Sequence, residues 1–275
     1  MMSRDARRSS QTILLAIFGR YVDPPDAELP MDGLIRIMEA LEFSPGCVRT
    51  LVSRVKQNGL LHSRKEGRRS YYSLTEDGLR LAQSYNDPHL WKMKDGWDQY
   101  WTIVVYSVPE RHRERRNGLR RLLRGQGFGT IAPGIWISPS DVMPKVGSVW
   151  YDLHSKGVVE VFRARHQGPS DLTSLVRRAW PQLETVAKSY LEYVTRYRSV
   201  LHHHACGNLD AEQCFCSCLC SYCEFAQVVA GDPRLPAVLL PEDWPFNDAQ
   251  SVFQKMQDAL SSPADSFFAS VIGDN

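Results

Sequence analysis

Basic residues almost vanish from the last quarter of this 275-residue chain. Residues 199–275 carry 2 Lys and Arg against 10 Asp and Glu, whereas residues 1–198 carry 31 against 21. A net charge of +2 therefore conceals a part of +10 and a part of −8. A polyanion would be attracted to the first part and repelled by the last. Uninterrupted apolar runs of about 18–20 residues, the length a membrane span needs, are also missing. MMSRDARRSS has no apolar segment of the signal-peptide type, so a cytoplasmic location is expected. No Ser/His/Asp arrangement, phosphate-cradling glycine loop or pair of carboxylates stands out. Neither an enzymatic reaction nor a cofactor is expected.

A disulfide framework is missing as well. The seven cysteines are an odd number, and five of them crowd into CFCSCLCSYC, Cys214 to Cys223. Reduced thiols are the expectation. At 43% hydrophobic and 23% charged residues the composition is that of an ordinary globular protein. The length suffices for two or three domains.

The first segment, residues 1–86, reads as three helices and a hairpin. QTILLAIFGRYV carries Ile13, Leu14, Ile17, Phe18 and Tyr21 at helical spacing, which predicts one apolar face. After the proline-broken DPPDAELP, MDGLIRIMEALEF predicts a second helix with Leu34, Ile37, Met38 and Leu41 on one stripe. The third helix is marked at both ends, by Ser44 as N-cap with Pro45 behind it and by Gly59 as the stop. Val48, Leu51, Val52 and Val55 form its apolar side, and Arg49, Thr50, Ser53, Arg54, Lys56 and Gln57 its polar side. On an isolated helix such a face is merely solvated. Here LLHSRKEGRRSYYSL follows, predicting strands over Leu60–Ser63 and Ser70–Leu74 with a basic tip. From Phe43 to Ser73 there are seven basic residues and one acidic. Three helices and a basic hairpin describe a winged helix-turn-helix, whose third helix enters the major groove of DNA. The expected contacts are Ser44, Arg49, Thr50, Ser53, Arg54, Lys56 and Gln57 on the helix, and Arg64, Lys65, Arg68 and Arg69 on the wing. TEDGLRLAQ predicts a closing helix capped near Thr75.

Residues 87–170 predict a small ferredoxin-like unit, so the whole is α+β. WDQYWTIVVYSVPE holds a strand over Thr102–Val108. RHRERRNGLRRLLRGQGFG predicts a helix with Leu119, Leu122 and Leu123 on one side and seven arginines elsewhere. TIAPGIWISP reads as one further strand, Val158–His166 as the next, and Asp141–Ser155 as another helix. This order resembles the core of a small CRISPR-associated nuclease family that places a metal-binding aspartate at the end of its first strand. Here Tyr106, Ser107 and Val108 stand at that point, so the nuclease chemistry lacks its carboxylate. A dimerisation or coupling module is the preferred reading. Arg111, Arg113, Arg115 and Arg116 either begin a solvated helix, against its dipole, or meet DNA phosphates or an anionic effector. The candidate effector residues are Tyr106, Arg111, Arg115, Arg116, Trp136, Arg163 and Arg165.

Residues 171–275 read as mainly helical, with a junction at Pro181 and a rigid segment around Pro233, Pro236, Pro241, Trp244 and Pro245. If 211–230 is one helix, Cys216, Cys220 and Cys223 lie within about 60° of one another, with Cys214 and Cys218 nearly opposite. One metal site could use at most Cys216, Cys220 and Cys223, with Cys206 or one of His202, His203 and His204 as the fourth ligand. Packing as small hydrophobes beside Phe215, Leu219, Tyr222 and Ala226 is the preferred reading. A metal- or redox-sensing regulator using the Cys206–Cys223 segment is the alternative.

Over residues 10–272 the chain resembles the PaaX family of transcriptional repressors. The resemblance rests on the ordered helices and wing, on WTIVVYSVPE with its arginine-rich helix, on RAW before a long helix, and above all on DPRLPAVLLPEDWP. It implies a cytoplasmic homodimer that represses an aromatic-catabolic operon at a palindromic operator. Release by an aromatic catabolite or its CoA thioester, phenylacetyl-CoA being the best-known effector, is implied likewise. Family members often carry arginines just before the DP…LP element. This chain has Phe225–Gly231 there, none of them basic.

Overall fold

The computed structural model describes residues 10–24, 27–84, 96–141, 158–169 and 171–273. In chain order the elements are α1 (Ser10–Tyr21), β1 (Leu29–Pro30), α2 (Met31–Ala40), α3 (Pro45–Gln57), β2 (Leu61–Glu66), β3 (Arg69–Leu74) and α4 (Glu76–Ser84). There follow β4 (Tyr100–Ser107), α5 (Arg113–Gly125), β5 (Gly129–Ala132), β6 (Ile135–Ser138) and β7 (Val158–Arg165). The last helices are α6 (Leu172–Ala179), α7 (Leu183–Ala205), α8 (Ala211–Gly231) and α9 (Phe246–Gly273). The fold is α+β, with one three-stranded and one four-stranded antiparallel sheet.

The chain divides into two compact units that do not follow chain order. The first comprises Met1–Trp91, Leu191–Gln227 and Asn247–Asn275, and the second Lys92–Tyr190 and Val228–Phe246. Helix α1 lies at the heart of the first unit. One apolar face was expected, yet six successive residues, Ile13 to Phe18, are buried. A helix that is apolar all round must be covered all round. Gly19 allows α4 to approach, since a Cβ there would lie 3.1 Å from that of Ala82. Beyond the buried run, Tyr21 stacks on Phe268 of α9 at 5.2 Å and meets Phe215 of α8 at 5.0 Å.

The two late helices also hold α2. Arg36 donates to the carbonyl of Val271 at 2.5 Å, the Cys216 thiol donates to that of Ala40 at 3.2 Å, and the Ile272 side chain closes over Gly33. Within the same unit α8 is tied to α7 by the Tyr193–Ser221 hydroxyl pair at 2.6 Å and by Tyr197 donating to Glu224 at 2.9 Å. Phe225 stacks on Phe253 of α9 at 4.7 Å. By length and composition α8 is apolar enough to span a membrane, although polar residues interrupt its apolar run. Its Cys214, Phe215, Cys218, Leu219, Tyr222 and Phe225 are core residues of the folded unit.

In the second unit the sheet order is β5-β6-β4-β7. TIAPGIWISP is two strands rather than the single one expected. Pro133 has no N–H to donate and Gly134 takes φ +77°, so the segment turns back and β5 pairs with β6. The carbonyl of Gly134 accepts from the Tyr106 N–H at 2.9 Å. Helix α5 packs Leu119 and Leu123 on one sheet face, against Val104, Tyr106, Trp136 and Val159. On the other face Trp101 and Ile137 meet Leu175, Val176, Trp180 and Leu183 with Leu235 and Leu239. The DPRLP segment thus belongs to the core of this unit. Asp232 is buried there and accepts from the Tyr190 hydroxyl at 2.9 Å and the Arg234 N–H at 2.6 Å. The helix expected over Asp141–Ser155 falls, after Asp141, outside the described residues.

Close approach of α4 to the hairpin base gives a stability prediction. A Cβ on Gly78 would lie 2.1 Å from the Leu60 carbonyl oxygen, whereas one on Gly46 meets nothing within 4 Å. In urea unfolding, Gly78→Ala should cost about 2 kcal/mol or more despite the better helix former. Gly46→Ala should stabilise by about 0.5–1 kcal/mol.

Candidate nucleic-acid interface

The outer face of α3 exists because its inner face is fixed. Val48, Val52 and Val55 are fully buried and Leu51 nearly so, which turns every third or fourth residue inward and the others to solvent. Ser44 caps the helix by accepting from the Cys47 N–H at 3.4 Å, and Pro45 occupies the first helical position. Past Asn58, Gly59 takes φ +76° and ends it. Arg49, Thr50, Ser53, Arg54, Lys56 and Gln57 are all exposed, as is Ser44. Thr50 donates back to the carbonyl of Gly46 at 2.9 Å, so its hydroxyl can only accept from a partner.

The hairpin is longer and tighter than its sequence suggested. Strands β2 and β3 pair from Leu61↔Leu74 out to Glu66↔Arg69, leaving Gly67 and Arg68 as a two-residue turn. Gly67 takes φ +59° and Arg68 has no positive φ, the pattern of a type II′ turn with glycine first. Lys65, Arg68 and Arg69 are exposed at this tip. Thr75 joins the hairpin base to α4, accepting from the Gly78 N–H at 3.0 Å and donating to the Gly59 carbonyl at 2.7 Å. The short strand β1, unforeseen in a proline-rich stretch, pairs Leu29 with Tyr72 and Pro30 with Tyr71.

Arg64 differs from its neighbours. It pairs with Glu28 and Glu66, both at 2.7 Å, and lies over the Tyr71 ring at 4.7 Å. Hydrogen bonds to those two carboxylates raise its pKa. Glu28 was not foreseen as a partner of the hairpin. Its pairing with a residue 36 positions away leaves no periodic trace in sequence. Arg49, Arg54, Lys56, Lys65, Arg68 and Arg69, by contrast, enter no ion pair among the described residues. Six unneutralised cations on one helix and the adjoining tip attract phosphates in a salt-dependent way.

The structure spreads the candidate effector residues over the second unit. Tyr106 and Trp136 are buried beneath α5. Arg111 is exposed, with its Nε 3.3 Å from His112 Nε2, and Arg116 pairs with Glu110 at 2.7 Å. Arg115, half-buried, lies in the first turn of α5. At the other end of β4, Arg165 lies 4.7 Å over the Tyr100 ring, and Arg163 pairs with Asp98 and, at 3.9 Å, with Asp141.

The cysteines occupy several sides of α8. Cys214, Cys218 and Cys223 are buried, Cys216 and Cys220 half-buried, and Cys47 and Cys206 exposed. The angular split between the two sets stands, but protein covers both. Cys218 donates to Gln257 of α9 at 3.4 Å, while Cys216 faces α2. Among the described residues no three His, Cys, Asp or Glu side chains converge as a metal-binding group. Burial pushes the Cys216 and Cys220 thiols up to about 12, and those of Cys214, Cys218 and Cys223 up as well. A thiol held protonated is a poor nucleophile and a poor ligand.

The six cations of α3 and the hairpin tip, which enter no ion pair among the described residues, make a surface suited to a polyanion. Three family profiles match the chain: PaaX-like protein over residues 9–78, PaaX protein central Cas2-like domain over 94–176, and PaaX-like protein C-terminal domain over 180–270. The chain belongs to the PaaX family. Transcriptional repressor PaaX of Escherichia coli (strain K12) is 28% identical over 252 residues, or 89% of this chain and 78% of that protein. Among solved structures, uncharacterized protein Rv0674 from Mycobacterium tuberculosis shares the fold. The two superpose with a TM-score of 0.55 at 18% identity, over 95% of this chain and 97% of that one.

The burial of the thiols sets their reactivity. In native protein at pH 7.5, a thiol reagent should label Cys47 and Cys206 quickly and the other five only after denaturation. The buried thiols, with folded pKa raised above the ordinary 9.0, contribute stability below pH 9 that is lost as pH rises towards about 12. The urea midpoint should therefore fall across that alkaline window, and fall less once Cys216 and Cys220 are alanine.

Proposed function

We propose that this protein is a ligand-responsive repressor of an aromatic-catabolic operon that binds a palindromic operator as a homodimer. The observation that carries the reading is the α3 face with its adjoining tip, whose cations have no carboxylate partners among the described residues. In this reading α1 to α3 with β2 and β3 form a winged helix-turn-helix. Helix α3 enters the major groove, where Arg49 and Arg54 are placed to read guanine edges. Lys65, Arg68 and Arg69 lie along the backbone, and Arg64 holds the wing in shape through Glu28. Two heads related by a two-fold axis then match two half-sites about one helical turn apart.

The strand order of the second unit is that of a ferredoxin-like sheet, which supports reading it as the dimerising or coupling module. An aromatic catabolite or its CoA thioester, held by residues among Tyr106, Arg111, Arg115, Arg116, Trp136, Arg163 and Arg165, favours a dimer of wrong spacing. Operator affinity then falls by linkage, typically by about 1–3 kcal/mol. Phe225 and Val229, in the stretch before the DP…LP element, are buried core residues, and no basic side chain lies between Phe225 and Gly231. This favours an effector less charged than a CoA thioester. In calorimetry the free aromatic acid should bind more tightly than its thioester, and the reverse order would count against the idea.

Contact roles predict separable phenotypes. Arg49→Gln or Arg54→Gln should cost about 1–3 kcal/mol on the operator and relax base preference at one position. Arg68→Gln with Arg69→Gln should weaken all duplexes alike and make the salt dependence shallower by about 2 units of slope. Anisotropy titrations against operator and scrambled DNA distinguish the two. Loss of base preference from the wing pair would mean that α3 is not the reading helix.

A further inference from the structure

Helix α5 presents a second concentration of cations, in a different unit from α3. Its 13 residues include six arginines and one acid, Glu114. With about 100° per residue, Arg113, Arg120 and Arg124 fall within about 40° of arc, and Arg121 about 60° beyond. All four are exposed, on a side away from the buried Leu119 and Leu123. The row runs about 16 Å along the helix at 1.5 Å per residue.

Neutralisation is concentrated at one end of this row. Glu110 takes Arg116 at 2.7 Å and reaches Arg113 at 3.9 Å, and that double pairing lowers its pKa. Arg124 leans over the Trp136 ring at 5.9 Å and keeps its charge outward. Arg120 and Arg121 enter no ion pair among the described residues. Arg113 in the first turn opposes the helix dipole and Arg124 in the last turn suits it, but Arg120 and Arg121, at mid-helix, are explained neither by the dipole nor by an ion pair among the described residues. A polymer with a charge every few ångströms fits it better than a single anion, because the free charges are spread along the helix rather than gathered at one point.

We propose that the Arg113–Arg120–Arg121–Arg124 surface of α5 is a second, sequence-independent contact with the phosphate backbone of duplex DNA. The inference rests on the DNA-binding reading above and adds a surface outside the helices and wing of the first unit. Phosphate contacts position a protein without reading bases. Substitutions on α5 therefore weaken specific and non-specific duplexes by the same factor.

The test uses the full chain and a mixed-sequence duplex of about 30 base pairs, titrated by anisotropy from roughly 50 to 200 mM salt. Arg120→Gln with Arg121→Gln removes two exposed charges at positions with no packing role. The log–log salt slope should become shallower by about 2 units, and affinity near 100 mM should fall on the order of 10- to 100-fold. Arg121→Gln alone, a gentler change, should give about half that change in slope. Circular dichroism and the thermal midpoint should stay as in the wild type. If the wild type shows no salt-dependent binding to any duplex, the DNA-binding reading itself fails. If the wild type binds and Arg49→Gln/Arg54→Gln weakens it, yet the α5 variants keep the full slope, the α5 surface alone is overturned. An unchanged slope together with lost binding of free coenzyme A would make the row a small-anion site and would likewise overturn the proposal.

Discussion

Everything in the first unit depends on burying α1 around its whole circumference. Ile13, Leu14, Leu15, Ile17 and Phe18 are five large side chains at about 1.5–3 kcal/mol each. That gives a contribution on the order of 10 kcal/mol, as large as the whole net stability of a typical domain. The residues near α1 in sequence do not supply the entire cover. Helices α8 and α9, some 200 residues further on, contribute to it through Phe215 and Phe268 against Tyr21. The hydrophobic requirement of one early helix therefore explains why the first and last parts of the chain form one compact body.

The same packing accounts for the cysteine-rich helix. α8 is approached from α1 and α2, from α7 and from α9, so its residues must be small or flat on several sides at once. Cysteine suits such positions as a small, polarizable hydrophobe. Cys216 and Cys218 add weak donor bonds to Ala40 and Gln257, which fix the helix against two different neighbours. Arg20 completes the arrangement, lying over the Tyr222 ring at 4.6 Å and hydrogen-bonding Gln257. Chemistry at sulfur is suppressed where packing is densest. The exposed thiols, Cys47 and Cys206, lie outside this cluster.

Features that depend on local periodicity or capping were legible in the sequence. Helix α3 has the start and stop that Ser44, Pro45 and Gly59 marked, and its outward residues are the ones its period assigned to solvent. The Pro181 junction followed from the same signals, and the stretch 211–230, assumed to be one helix, lies within α8. Features set by distant partners were not legible. An amphipathic α1 was the natural expectation, because its second cover arrives from the far end of the chain. The turn at Pro133-Gly134 was absorbed into one strand, since the flanking residues are β-formers on both sides. Glu28 gave no sign that it would hold Arg64, because only the β1–β3 pairing brings that stretch of chain beside the hairpin.

Charge asymmetry along the chain takes on a different meaning once folded. The acidic last quarter is not a separate negative body, because the two units share it between them. Several of its carboxylates are also engaged internally. Glu224 accepts from Arg196 and Tyr197, Asp248 pairs with Arg198 at 3.3 Å, Asp232 is buried against Tyr190, and Asp210 caps α8 by accepting from the Gln213 N–H. Between Arg49 and Arg124 carboxylates are drawn closely onto Arg64, Arg80 and Arg116, whereas Arg49, Arg54, Lys56, Lys65, Arg68, Arg69, Arg120 and Arg121 enter no ion pair among the described residues. Exposed charges more than a Debye length apart hardly feel one another at physiological salt. Local pairing therefore decides where cations stay free at the surface, and a net charge of +2 hides their concentration on α3, the hairpin tip and α5.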